Sequence, residues 1–331
     1  KWHTVKATED SRTNDIKDLN IQDIYDRWLT KVSGAEAKDD FRNTTNTFGW
    51  IVEIDPFNGS HTPVKRTALG RFAHESASFN LLKPRQPLHI YMGDDARNEY
   101  IYKFVSAELW DPADANSTNP LAVGDKYLDR GTLYAAKFNA DGTGQWLELS
   151  MNNPAIKNYK GYTFKDLGDI CINARLAADA VGATKMDRPE WNGSHPVTGE
   201  VYFTLTNNSA RTTADAANPR VKNAYGHIIR WREERRDNSG VRFAWDLFLL
   251  AGPESDSRGP NGQALGADNM LASPDGLWFD EDGRLWIQTD MSGSQLASGP
   301  FGNNQMLVAD PQTGEIRRFL TGPVGQEITG L

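Results

Sequence analysis

One pattern limits what this chain can become: over residues 48–320 it repeats a strand, a tight turn and a returning strand. Residues 49–56 are answered by 63–70, residues 88–95 by 100–105, and residues 131–138 turn at Asn139-Ala-Asp-Gly into 144–149. Residues 226–231 return as 243–248, residues 273–280 as 284–289, and residues 305–315 as 316–320. These runs alternate apolar and polar residues between Gly, Pro, Asn and Asp clusters, the signature of antiparallel hairpins. The turns even echo one another, in His195-Pro-Val-Thr-Gly-Glu and Asp310-Pro-Gln-Thr-Gly-Glu.

Many short strands along one long chain predict an all-β fold. Radial repetition buries each small sheet against its neighbours and leaves few open edges, so the first expectation is a β-propeller with short helical insertions. A β-sandwich is the second. No composition break or linker divides the chain, and a single, partial propeller domain over residues 1–331 is expected. Residues 8–46 form a polar excursion, whose Ile21, Ile24, Tyr25, Trp28 and Leu29 recur at the spacing of a short helix. A further helix is predicted over 167–181. Ten Trp, ten Tyr and fourteen Phe supply the apolar area for an extensive core.

Charge and cysteine usage exclude several functions. A formal net charge of −8 leaves no electrostatic footprint for nucleic acid. No run of roughly 18 apolar residues predicts a membrane span, and residues 1–6 read as a strand rather than as a leader. The lone Cys171 rules out an internal disulfide or a Cys-rich zinc site and reads as a small buried residue. His195 and His227 read as structural, and His74 completes no metal-ligand spacing with them. No nucleophile elbow, P-loop or dinucleotide fingerprint occurs.

The chemistry gathers at hairpin ends. In residues 186–209, Asp187, Arg188 and Glu190 surround Pro189 and precede a strand. Glu75 follows His74, Asp94 and Asp95 end a strand, Asp268 and Asn269 precede Asp275, and Asp290 ends another strand. In a propeller such ends converge on the central channel, where Asp, Glu, Asn and carbonyl oxygens suit calcium. Asp before Gly is ordinary turn chemistry, so Asp141, Asp275 and Asp282 read as turn residues. Glu75 and Glu190 have no such explanation. Arg188 beside Glu190 is either a surface ion pair or an anion site.

Five runs of sequence resemble the PhoX family of alkaline phosphatases: Trp50-Ile-Val-Glu-Ile-Asp-Pro, Thr62-Pro-Val-Lys-Arg-Thr-Ala-Leu-Gly-Arg-Phe-Ala-His-Glu, Ile90-Tyr-Met-Gly-Asp-Asp, Asp187-Arg-Pro-Glu-Trp and Ala267-Asp-Asn-Met. The resemblance covers most of the chain from Phe48 onward. It implies a six-bladed propeller, periplasmic or secreted, that hydrolyses phosphate monoesters with calcium and iron (Fe3+). It also implies Glu75 and Glu190 as metal-bridging catalytic residues, Arg188 as the phosphate contact, Asp268 and Asn269 as calcium ligands, and Asp94 and Asp95 as further metal ligands. Family members are longer at both ends and bring a cysteine to iron from a portion preceding this one; Cys171 lacks that context. About four or five blades are therefore expected here, with calcium bound better than iron and hydrolysis impaired. The competing readings are a calcium-stabilised propeller that binds a ligand or protein, and a lactonase-type calcium hydrolase. Nothing in the sequence fixes an oligomeric state.

Overall fold

The computed structural model describes residues 46–234 and 240–330. The excursion expected over 8–46, with its short helix, lies outside these residues apart from Asn46. A two-stranded ribbon, β1 (Val52–Glu53) with β2 (Val64–Lys65), comes first. Three antiparallel meanders follow. The first runs β3 (His74–Phe79), β4 (Pro87–Asp94), β5 (Ile101–Leu109) and β6 (Gly131–Phe138), with α1 (Pro120–Leu128) between its last two strands. After β7 (Thr143–Glu148) come α2 (Pro154–Lys157), α3 (Leu167–Ile172) and α4 (Ala174–Val181). The second meander is β8 (Pro189–Ser194), β9 (Val201–Leu205), β10 (His227–Glu233) and β11 (Arg242–Leu250). The third is β12 (Pro274–Phe279), β13 (Leu285–Thr289), β14 (Gln305–Ala309) and β15 (Ile316–Thr321), with α5 (Gly293–Ser298) in its middle connection.

The first strands lie together: β8 packs against both β3 and β12. This is the propeller-like arrangement expected, with each meander turned edge-on to a common centre. The count differs from expectation, since the described residues form three four-stranded meanders. The hairpin of β6 and β7 reads in sequence as a unit of its own. Instead β6 completes the first meander, while β7 crosses to pair with β11 and joins the first two meanders into one nine-stranded sheet.

Aromatic side chains fill the space between meanders. Tyr91, Phe138, Trp146, Phe203, Trp231 and Phe243 pack between the first and second, where Trp146 and Trp231 meet nearly edge to face at 5.7 Å. Tyr202, Phe248, Leu277, Ile287 and Leu307 pack between the second and third. Ile170, Ala174, Ala177 and Ala178 bring α3 and α4 onto the first meander. The helix predicted over 167–181 is broken at Asn173, whose side-chain amide donates to the Asp169 carbonyl and carboxylate at 3.1 and 2.8 Å. Such local bonding competes with the helix ladder.

One irregularity recurs in all three meanders. Pairing with the second strand shifts between His74 and Ala77 in β3, between Pro189 and Asn192 in β8, and between Pro274 and Leu277 in β12. The skipped pairs are Glu75-Ser76, Glu190-Trp191 and Asp275-Gly276. Each first strand thus carries a carboxylate inside a bulge, a device that re-aims a side chain.

Candidate metal and anion site

Backbone hydrogen bonds put three more residues beside those bulges. The amide of Asp95 donates to the carbonyl of Ala73 at 2.9 Å, that of Thr206 to Arg188 at 3.1 Å, and that of Asp290 to Ser273 at 3.0 Å. Asp95, Thr206 and Asp290 are therefore equivalent residues, one past the end of each second strand. The mouth of the fold collects Glu75 with Asp95, Glu190 with Thr206, and Asp275 with Asp290.

Arg188 and Ser273 approach this mouth in the left-handed region, at φ 56° and 49°, each just before a proline. Proline disfavours such a conformation in the residue ahead of it, and holding a non-glycine residue there costs about 1–3 kcal/mol. Neighbours hold Arg188 in place. Asp187 is fully buried against Arg211 and accepts from the Asn223 amide at 2.9 Å. Arg188 then turns its guanidinium to the mouth, with Nη2 at 2.9 Å from Asp95 and 2.8 Å from Glu190 Oε1. Nε and Nη1 donate no hydrogen bond among the described residues.

The acids repel one another. Burial, followed by Asp275 and Asp95, holds the Glu190 carboxyl well above the usual carboxylate range, against the pull of Arg188. Partial burial, Asp95 and Asp275 push Glu75 up to about 7. Burial and then Asp275 raise Asp290, while burial, Asp290 and Asp275 raise Glu327.

Asp275, Asp290 and Glu327 bring one oxygen each to within 4.8 Å of one another. Asp275 Oδ1 is buried without a hydrogen-bond partner among the described residues. Oxygen donors, like charges held together and an unsatisfied carboxylate oxygen fit a hard cation such as calcium. Cys171 stands elsewhere, in a cleft with Trp50, Leu133 and Leu167, its thiol pushed up to about 12 by burial.

The structure thus brings Glu75, Asp95, Arg188 and Glu190 together and leaves three of the residues singled out in the sequence apart. Asp94 turns the other way. Both its oxygens are taken by buried Arg175, at 2.7 Å to Nε and 2.5 Å to Nη2. Neighbouring residues at a strand end face opposite sides, so Asp94 and Asp95 cannot both reach the mouth. Asp268 is exposed on a turn, and Asn269 Oδ1 accepts the Arg318 amide at 3.0 Å. His74 donates no charge: it stacks on Phe72, its ring lies 3.0 Å from the Gly70 carbonyl, and burial lowers its pKa to about 4. Asp275 corrects the sequence reading, since it occupies a strand bulge and not a turn. Pro-Glu at 189–190 and Pro-Asp at 274–275 are the repeat that signals it. Glu327, on the last described segment, carries no such signal.

The family model described as Alkaline phosphatase PhoX matches residues 1–331. Comparison with curated proteins gives no match. A solved structure, "Pseudomonas fluorescens PhoX in complex with vanadate, a transition state analogue", is 44% identical, with a TM-score of 0.76. The alignment covers 91% of this chain and 56% of that one, so the chain spans little more than half the length of this relative. With the family model matched from end to end, this chain belongs to the PhoX family of alkaline phosphatases.

Proposed function

We propose that this chain contributes the metal-binding and phosphate-binding face of a metal-dependent phosphomonoesterase. The observation that carries the reading is Arg188: a cation fixed by Asp95 and Glu190 in a mouth otherwise lined by carboxylates. A purely structural calcium site needs no guanidinium among its acids. A phosphoryl group, negatively charged and with several oxygens to hold, does.

In this reading Arg188 binds the phosphoryl oxygens through Nε and Nη1, while Asp95 and Glu190 keep the guanidinium from swinging out. Glu75, Glu190, Asp275, Asp290 and Glu327 hold the ions, calcium on the strength of the oxygen donors and Fe3+ on the family resemblance alone. The bound ions supply positive charge to the phosphoryl oxygens and to the oxygen that attacks phosphorus. Glu75, whose carboxyl is pushed up to about 7 by partial burial and by Asp95 and Asp275, exchanges protons near neutral pH. The resemblance also assigns Asp268 and Asn269 to calcium and the protein to the periplasm or the exterior. No helix among the described residues is long and apolar enough to cross a membrane.

Hydrolysis of p-nitrophenyl phosphate is the test, with ester and lactone substrates alongside and with calcium and iron added separately. Metal-dependent phosphate release that Arg188→Ala abolishes supports the reading. Ester or lactone turnover indifferent to Arg188→Ala would replace it with the lactonase reading, and metal binding without turnover of any substrate with the scaffold reading.

A further inference from the structure

The three equivalent residues past the second strands are not alike. Two are acids, Asp95 and Asp290; the third is Thr206, wholly buried. Its hydroxyl lies 2.7 Å from Glu190 Oε2 and 2.6 Å from the Pro274 carbonyl. At the end of the strand paired with its own meander's bulge, Thr206 touches the carboxylate of that bulge and the backbone of the next meander's bulge. Thr204, one step down the same face of β9, repeats the second contact: its hydroxyl donates to the Asp275 carbonyl at 2.8 Å. Together the two threonines stitch β9 to the start of β12.

The two oxygens of Glu190 have separate partners. Oε1 faces Arg188 Nη2 and Oε2 faces Thr206. A carboxylate with only one oxygen tied swings about its last torsion, which is broad and soft. Tied at both, it presents a fixed edge to the mouth. The same hydroxyl also fixes how far Glu190 stands from Asp275, because the Pro274 carbonyl is one residue from that acid.

We infer that Thr206 is a positioning residue: its hydroxyl orients the Glu190 carboxylate and sets its spacing from Asp275, so that the two acids from different meanders serve one cation site. The inference deepens the metal-dependent reading above and rests on it. Hydrogen bonds that orient ligating carboxylates typically control metal affinity by about 10–100-fold.

Calcium titration of the full chain, followed by calorimetry, reads the effect without requiring turnover. Thr206→Val keeps the shape and removes the hydroxyl, and is expected to weaken calcium binding about tenfold or more. Thr206→Ser restores the hydroxyl and is expected to bind within about twofold of the parent, a rescue that loss of packing alone does not give. In a Glu190→Gln background, Thr206→Val should add little further loss. Thr206→Cys provides a second hydroxyl-free variant if valine at 206 prevents folding. A parent chain that binds no calcium overturns both this assignment and the reading beneath it. Parent binding matched by Thr206→Val, or a Thr206→Ser variant as weak as Thr206→Val, overturns the positioning role alone.

Discussion

Arg188 Nη2 stands 2.8 Å from Glu190 Oε1, two residues further along the same chain, while the Arg188 backbone sits at φ 56° ahead of a proline. The ion pair and the left-handed backbone are one arrangement, since an extended Arg188 would send its side chain along a different line. Arg188→Gly removes the strain together with the guanidinium, and Arg188→Ala removes only the guanidinium. Thermal or urea unfolding should therefore find Arg188→Gly the more stable by about 1 kcal/mol. Both should lose phosphate ester turnover by a factor on the order of 100 or more.

The folded chain holds Glu75 near 7, above an ordinary carboxylate. Between the ordinary glutamate range, about 4.3, and that value the folded state binds more protons than the unfolded one, so stability falls as pH rises through this window. Melting curves of the metal-free chain should drop from pH 5 to pH 8. Glu75→Gln should flatten that drop, and saturating calcium should reverse it, because a bound cation favours the ionised acids.

Asp275 belongs to the carboxylate trio and is the one neighbour that, after burial, adds to the upward shift of Glu75, Asp290 and Glu327 alike. Asp275→Asn should weaken calcium binding about tenfold or more in a titration. In chelator the same variant should melt higher than the parent, since it relieves the repulsion.

Asp94 and Arg175 should behave in the opposite way. Their carboxylate and guanidinium are buried together, and Ala73 adds its amide to Asp94 at 3.2 Å. Removing one partner leaves an uncompensated charge, so Arg175→Leu should cost about 3–5 kcal/mol of unfolding free energy in urea. Calcium affinity of the surviving folded fraction should stay within a few-fold of the parent.

The hairpins were legible because alternation and turn residues are local. The echo of 195–200 in 310–315 is a case where even the atoms agree. Asp310 Oδ1 accepts the amides of Gln312 and Thr313 at 2.7 and 3.2 Å, and His195 Nδ1 accepts those of Val197 and Thr198 at 3.2 Å each. His195 thus takes the part of an aspartate in a turn, as its structural reading required, and His195→Asp should fold normally while His195→Ala loses about 1 kcal/mol of stability in urea melts.

What escaped sequence reasoning is long-range. The pairing of β7 with β11 joins residues about a hundred apart and has no local mark, so in sequence β6 and β7 read as a unit of their own. Asp275 was hidden by the glycine after it, which suits a turn and a bulge alike. Asp94 and Asp95 are adjacent in sequence, and only the strand's two faces separate the acid that meets Arg175 from the one that meets Arg188.

The bulge common to β3, β8 and β12 has a consequence for how this surface can change. Side chains beyond each bulge keep the parity that packs the interior, as Leu277 and Phe279 do, while the acid within it answers to the mouth alone. Composition at 75 and 275 is thereby uncoupled from core packing, whereas Glu190 is buried and bound to Thr206. At those two positions the rim can exchange one acid for another, or for a different ligand, without the exchange having to be matched by repacking underneath.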